Sequence, residues 1–291
     1  MGTKAGSILI PVLILSLTTG LAGADKQWKD VSVQVGDIKT HYIEAGTGDR
    51  HLLFIPGLMM NAEVWKEQIP YFVARGFHVI AMDPRSQGLS TKTETGNTYH
   101  QHAADLHAFL ERLKLEHCTV VGWAAAVVTL LEYVSSPEVL LPDRLILVNG
   151  GPGGLNDTDY PGGFVMKQAR ELALAMEDDR PKAAEAYVRS LFKSRMGEPV
   201  YGALMEGSLK TPTGTAVALL FDLVTEDRRS ALASITVPTL IITSQDRQLL
   251  GEYMQSKIPG AQLKVIEDAG HAVFLERPQA FNQALEDFLS K

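Results

Sequence analysis

Short apolar runs alternate with amphipathic segments along most of this chain. The runs lie at residues 51–55, 78–82, 118–122, 144–149, 238–243 and 262–266. Continuous apolar runs of this length are typical of strands buried on both faces. Helical periodicity is found between and after these runs, among others at residues 62–75, 99–113 and 278–289. This alternation predicts an α/β fold with a mostly parallel sheet and helices on both faces. A period of two at residues 31–35 and 39–44, around a Gly-Asp turn, predicts an antiparallel hairpin before the parallel strands.

The alternation stops between residues 151 and 229. Helical patterns occur there at residues 163–176, 182–195 and 216–224, without a strand pattern. The sequence therefore predicts a core formed by residues 25–150 and 230–291, with residues 151–229 inserted as a helical cap. An insertion after the carboxyl end of a strand lies over the site and shapes substrate access.

The amino terminus has the pattern of a secretory leader. A positive charge at Lys4 precedes an apolar run at residues 7–17, and an Ala-Gly-Ala sequence ends at Ala24. The pattern predicts a signal peptide over residues 1–24 and a secreted or periplasmic protein. The run is shorter than the ~20 residues that span a bilayer, so we expect no stable membrane insertion.

Charge and cysteine content exclude several classes of partner. The net charge is −7 and no cluster of Lys and Arg is present, so we expect no nucleic-acid partner. The single cysteine, Cys118, excludes an internal disulfide, and no Cys/His spacing suits a metal. We expect neither a metal nor a cofactor, and the sequence does not indicate an oligomeric state.

The segment Gly122-Trp123-Ala124-Ala125-Ala126 lies at a predicted strand-to-helix junction. It has the spacing of the G-x-S-x-G turn that exposes a catalytic serine. Gly122 and Ala126 are small enough for strand and helix to approach each other. Ala124 occupies the nucleophile position, where a serine is expected.

Further motifs follow one another in the order of a known superfamily. They are residues 54–58 (Phe-Ile-Pro-Gly-Leu), 83–90 (Asp-Pro-Arg-Ser-Gln-Gly-Leu-Ser), 243–246 (Thr-Ser-Gln-Asp) and 270–278, which begins Gly-His-Ala. From about Trp28 to the carboxyl terminus, the chain resembles the α/β-hydrolase superfamily. The resemblance is strongest to its capped serine esterases and non-haem haloperoxidase-like members, although Pro56 replaces a histidine of the first motif.

The resemblance implies a role for each matching residue. Asp246 would be the triad acid and His271 the base, which takes the nucleophile's proton and later donates it to the leaving group. The backbone N–H groups of Leu58 and Ala125 would form the oxyanion hole. Two residues that either line the substrate pocket or pack in the core are Met59 and Trp123.

These roles predict a carboxylic-ester or lactone hydrolase that lacks its nucleophile. Alanine cannot form an acyl-enzyme, so we expect a small ester or lactone to bind with little or no turnover. Because alanine differs from serine by one oxygen, we interpret Ala124 as a truncated catalytic serine. The absence of Asp or Glu at this position argues against the haloalkane dehalogenase and epoxide hydrolase branches.

Two alternatives from other classes stay open. The first is a non-hydrolytic enzyme on the same scaffold, such as a lyase, a perhydrolase or a cofactor-free oxygenase, that uses His271 as its base. The second is a catalytically silent ligand-binding protein. An Asp246–His271 pair argues against the second, because a pure binder has no need of it.

Overall fold

The sheet consists of eight strands in the part of the chain that the structure, a computed structural model, describes: Gly2 and residues 28–137, 139–160 and 162–291. The strands are β1 (Lys29–Val35), β2 (Ile38–Ala45), β3 (Arg50–Ile55), β4 (Phe77–Met82), β5 (Cys118–Trp123), β6 (Arg144–Val148), β7 (Thr239–Ser244) and β8 (Gln262–Ile266). Their order across the sheet is β1-β2-β4-β3-β5-β6-β7-β8. The β1–β2 and β2–β4 pairs are antiparallel, and all other neighbours are parallel. The predicted α/β fold is confirmed.

Helices follow most of the parallel strands. They are α1 (Gln68–Val73), α2 (Tyr99–Leu113), α3 (Ala126–Ser135), α4 (Met166–Asp178), α5 (Arg180–Ser190), α6 (Glu198–Leu209), α7 (Thr213–Thr225), α8 (Gln248–Lys257), α9 (Val273–Glu276) and α10 (Pro278–Leu289). None of the helices in the described ranges combines the length and apolarity that a bilayer crossing requires. The predicted leader, residues 1–24, lies outside the described residues.

The strands alternate their side chains between two cores. In β3, Leu52 and Phe54 enter a core on one face of the sheet, where Trp123 is also buried. Leu53 and Ile55 enter a second core on the opposite face. Since successive strand residues point to opposite faces, a continuous apolar run is what a strand between two cores requires.

The helix predicted over residues 62–75 is broken in the structure. A short 3₁₀ helix covers Ala62–Trp65, and α1 begins only at Gln68. Pro70 explains the break, because its ring would clash with the carbonyl four residues earlier in a continuous helix.

The predicted insertion, residues 151–229, contains α4, α5, α6 and α7, which lie between β6 and β7 in the chain. Helix α6 was not predicted. It begins with Pro199 in its first turn and contains Gly202 and Gly207. Proline is well suited to a first turn, but two glycines weaken the helical pattern on which a sequence prediction depends.

Gly122 sets the distance between β5 and α3. A Cβ added to Gly122 would lie 2.7 Å from Leu130 Cδ1 and 3.2 Å from the Ala126 carbonyl oxygen. We therefore expect Gly122→Ala to lower the free energy of unfolding by about 1–3 kcal/mol, as overpacking does. Urea denaturation followed by circular dichroism measures this change.

Gly202→Ala is the matched control, because a Cβ added there meets nothing within 4 Å. This variant should gain about 0.5–1 kcal/mol from the higher helix propensity of alanine. Equal effects of the two substitutions would contradict the close approach at Gly122.

Candidate active site

Ala124 occupies a sharp turn between β5 and α3. Its φ of 54° lies in the left-handed region, which a residue with a Cβ seldom adopts. Its N–H donates a hydrogen bond to the carbonyl oxygen of Val148, with an N–O distance of 2.8 Å. The local backbone therefore has the conformation that G-x-S-x-G turns use to expose a nucleophile.

Two glycines let neighbouring loops approach this turn. A Cβ added to Gly57 would lie 3.0 Å from the Ala124 Cβ. One added to Gly150 would lie 2.2 Å from the Ala124 carbonyl oxygen. Backbone from the ends of β3 and β6 thus encloses residue 124 on two sides, which supports its positive φ.

A cavity of about 220 Å³ lies against this turn, and four of the predicted site residues line it: Leu58, Ala124, Ala125 and His271. The N–H groups of Leu58 and Ala125 donate no hydrogen bond to another described residue. Two such backbone donors beside one cavity are the arrangement that an oxyanion hole requires.

His271 is held through its backbone. Its carbonyl oxygen accepts hydrogen bonds from Trp123 Nε1 at 3.1 Å and from Asn149 Nδ2 at 2.8 Å. The Nδ1 atom of its ring is buried and has no hydrogen-bond partner among the described residues. Burial, together with the positive charge of Arg247, lowers the pKa of His271 to about 3. Its imidazole is therefore neutral at physiological pH.

Asp246 and His271, which the resemblance pairs as acid and base, share no hydrogen bond or ion pair in the described structure. Asp246 is exposed, in a short 3₁₀ helix that covers Gln245–Arg247. With three residues per turn, neighbouring side chains in such a helix point in different directions. Arg247, and not Asp246, lines the cavity. Within the described part of the chain, no carboxylate hydrogen-bonds to Nδ1 of the imidazole to orient it and stabilise its cation.

Met59 and Trp123 do not line the cavity, and both are buried in the protein interior. The Met59 N–H donates to Gln87 Oε1, and its sulfur lies 3.3 Å from the Arg180 guanidinium. The Trp123 ring packs against the His271 ring with 5.4 Å between centroids and an angle of 41° between the ring planes. Of the two roles that the sequence left open, the structure assigns core packing to both residues.

Among the cavity residues that were not singled out from the sequence are Tyr160, Tyr187 and Arg247. The Tyr187 hydroxyl donates to the Leu58 carbonyl oxygen at 3.2 Å, which ties α5 of the cap to the loop after β3. Arg247 could have been named as a candidate from the sequence, because it directly follows Asp246 of the acid motif. No comparable signal marks the tyrosines, because the direction of a cap side chain depends on helix packing.

Glu276 fastens the cap to the loop that carries His271. Its carboxylate accepts hydrogen bonds from the N–H groups of Gly270, Lys193 and Ser194, the last two at 3.1 and 2.8 Å. A buried carboxylate that accepts several N–H groups is well satisfied, so this junction is a firm one.

The cavity wall does not have the composition of a metal site. None of the described residues that line it is acidic. Throughout the described ranges, no group of three or more His, Cys, Asp and Glu side chains is arranged to hold a metal ion.

Comparisons with known proteins agree with this fold. Residues 52–284 match the model of the alpha/beta hydrolase family, so the chain belongs to that family. It is 28% identical to a putative non-heme chloroperoxidase of Synechocystis, with 87% of this chain and 95% of that protein covered. It is 24% identical to the Karrikin insensitive 2 receptor IA of Petunia hybrida, over 80% of this chain and 88% of that one.

A similar solved structure is an esterase of Exiguobacterium antarcticum. Its TM-score is 0.85 at 25% identity, and the match covers 90% of this chain and all of the esterase. Together with the family match, this likeness supports a protein of the hydrolase type.

The lowered pKa of His271 has a consequence for stability. Below its ordinary pKa of 6.5, the unfolded chain binds a proton at this residue, but the folded chain does so only near pH 3. Stability is therefore lost as the pH falls through this window. Between pH 7 and pH 5 we expect the wild type to lose about 2 kcal/mol more than His271→Gln in urea denaturation.

His100→Gln is the control, because the side chain of His100 is 79% exposed. Its loss of stability between the two pH values should match that of the wild type. If His271→Gln also shows the wild-type pH dependence, His271 is not buried in its neutral form.

Proposed function

We propose that this chain binds a small carboxylic ester or lactone in the cavity beneath its cap and does not hydrolyse it through an acyl-enzyme. The observation that carries the proposal is the methyl group of Ala124. It stands on a turn with the nucleophile conformation, beside an imidazole and two backbone N–H groups that have no hydrogen-bond acceptor among the described residues. The two N–H groups can therefore bind a carbonyl oxygen, but the methyl group at position 124 cannot attack the carbonyl carbon.

The walls of the cavity support a ligand with an apolar body. Leucines from the cap and the core form much of the surface, and Phe164 adds an aromatic side chain. Sites with apolar walls and a few placed polar groups are typical of small-molecule pockets. Among the similar proteins, the one from Exiguobacterium antarcticum is named an esterase and the one from Petunia hybrida is named a receptor. The names of similar proteins therefore include both hydrolysis and ligand binding.

The absence of an Asp246–His271 hydrogen bond favours binding over base catalysis. A lyase or cofactor-free oxygenase that uses His271 as base needs an imidazole that readily accepts a proton. Burial and the Arg247 charge hold the pKa of His271 near 3, so its cation is disfavoured in this cavity. Only the expected Asp246–His271 pair disfavoured a silent binder, and the ring Nδ1 of His271 has no hydrogen-bond partner among the described residues.

Restoring the hydroxyl at position 124 tests the proposal. We expect Ala124→Ser, treated with p-nitrophenyl acetate, to gain an acetyl group at the substituted position, detectable by intact-protein mass spectrometry. The rate should be low, because loss of the carboxylate partner costs a serine triad about 10⁴ in kcat.

The wild type and Ala124→Gly are the controls, and neither should be acetylated at this turn. Ala124→Gly also removes the cost of a Cβ at positive φ, so it reports on folding independently of chemistry. The wild type should bind the unactivated ester methyl phenylacetate saturably by ligand-observed NMR. Two results would contradict the proposal: ester hydrolysis by the wild type that is lost in His271→Gln, or no ester binding at all.

A further inference from the structure

Arg247 brings an unpaired positive charge to the cavity. It lines the cavity next to the site and makes neither an ion pair nor a side-chain hydrogen bond with another described residue. Burial lowers its pKa, while the neighbouring hydroxyls of Tyr160 and Tyr187 oppose this effect. A guanidinium that is partly removed from water without a counter-charge is costly, and an anion beside it relieves that cost.

Tyr160 supplies a second unsatisfied donor on the same wall. Its side chain is 1% exposed, and its hydroxyl has no hydrogen-bond partner among the described residues. The hydroxyl lies 3.1 Å from the Cβ positions that side chains at Gly151 and Gly162 would occupy. Both glycines line the cavity together with Tyr160, so no side chain at positions 151 and 162 stands between the buried hydroxyl and the cavity.

From these two donors we infer that the cavity binds a small carboxylate, with Arg247 and the Tyr160 hydroxyl donating to its oxygens and an apolar body against the leucines. Carboxylate oxygens are the acceptors that a guanidinium matches in geometry and charge. This inference rests on the proposed function for the use of the cavity. It adds to that function that the bound ester or lactone has a free carboxylate.

The charge balance of the wall selects a monoanion. Arg247 is the one charged side chain among the described residues that line the cavity, since His271 is neutral. A single carboxylate cancels this charge. Inorganic phosphate, which is largely a dianion near neutral pH, would leave a net negative charge between apolar walls.

Calorimetric titration of the whole chain tests the inference with phenylacetate, its neutral isostere phenylacetamide, and inorganic phosphate. We expect phenylacetate to bind at least about tenfold more tightly than phenylacetamide, because hydrogen bonds to charged groups contribute the larger energies. Phosphate should bind more weakly than phenylacetate. Equal affinity for phenylacetate and phenylacetamide, no binding of phenylacetate, or tighter binding of phosphate would each overturn the inference.

Two variants locate the carboxylate. Arg247→Met should weaken phenylacetate binding at least about tenfold and leave phenylacetamide binding unchanged, and Tyr160→Phe should weaken it by about threefold or more. The controls are Arg170→Met, an equal charge change at an exposed position of α4, and Tyr253→Phe, the ring that packs on Tyr160 at 5.3 Å. Both controls should bind phenylacetate as the wild type does.

The outcomes separate this inference from the proposed function. If methyl phenylacetate binds and the affinity for phenylacetate is no higher than that for phenylacetamide, the carboxylate subsite is absent and the ester site remains. If phenylacetate binds through Arg247 and methyl phenylacetate does not bind, the carboxylate subsite stands and the ester proposal fails. Should Arg247→Met not fold, the preference of the wild type for phenylacetate over phenylacetamide still decides the inference.

Discussion

The turn at Ala124 is the constraint on which the site depends. A residue with a Cβ at a φ of 54° costs of order 1–3 kcal/mol, and the surrounding structure must hold it there. The hydrogen bond to Val148 and the close backbone at Gly57 and Gly150 do so. Because the turn is fixed, the N–H of Ala125 lies at the start of α3 beside the cavity, without an acceptor among the described residues. If the turn relaxed, the Ala125 N–H would no longer face the cavity and Ala124 would no longer form part of its wall.

The charges around the cavity follow from how two loops are placed. The 3₁₀ helix after β7 leaves Asp246 in solvent and brings Arg247 to the cavity wall. The same cation, together with burial, keeps His271 neutral. Glu276 meanwhile ties the cap to the His271 loop, so both sides of the cavity are held by satisfied polar contacts. The result is a cavity with donors and one positive charge, suited to binding an electron-rich ligand.

The sheet was predictable because a buried strand needs an unbroken apolar run, and the runs at β3, β4, β5 and β7 are bounded by turn residues. Helices with strong periodicity, such as α2 and α10, were predicted at their observed bounds. Helix α6 was not predicted because its glycines dilute the pattern, and the helix predicted at residues 62–75 is interrupted just before α1 because of Pro70.

The positions of the site residues along the chain were also predictable, but the directions of their side chains were not. The motif order placed Leu58, Ala125 and His271 at one end of the sheet, where the structure has them. Whether Asp246 or Arg247 faces the cavity depends on the local turn after β7, which the sequence pattern does not determine. Tyr160 reaches the wall through the packing of the cap, which is set by long-range contacts.

The most direct test of ester binding without turnover is a crystal structure of the wild-type protein soaked with methyl phenylacetate. The account predicts an intact ester in the cavity, with its carbonyl oxygen about 3 Å from the backbone nitrogens of Leu58 and Ala125. A hydrolysed ligand in a cavity that otherwise has this geometry, or an intact ester bound away from these two nitrogens, would contradict it.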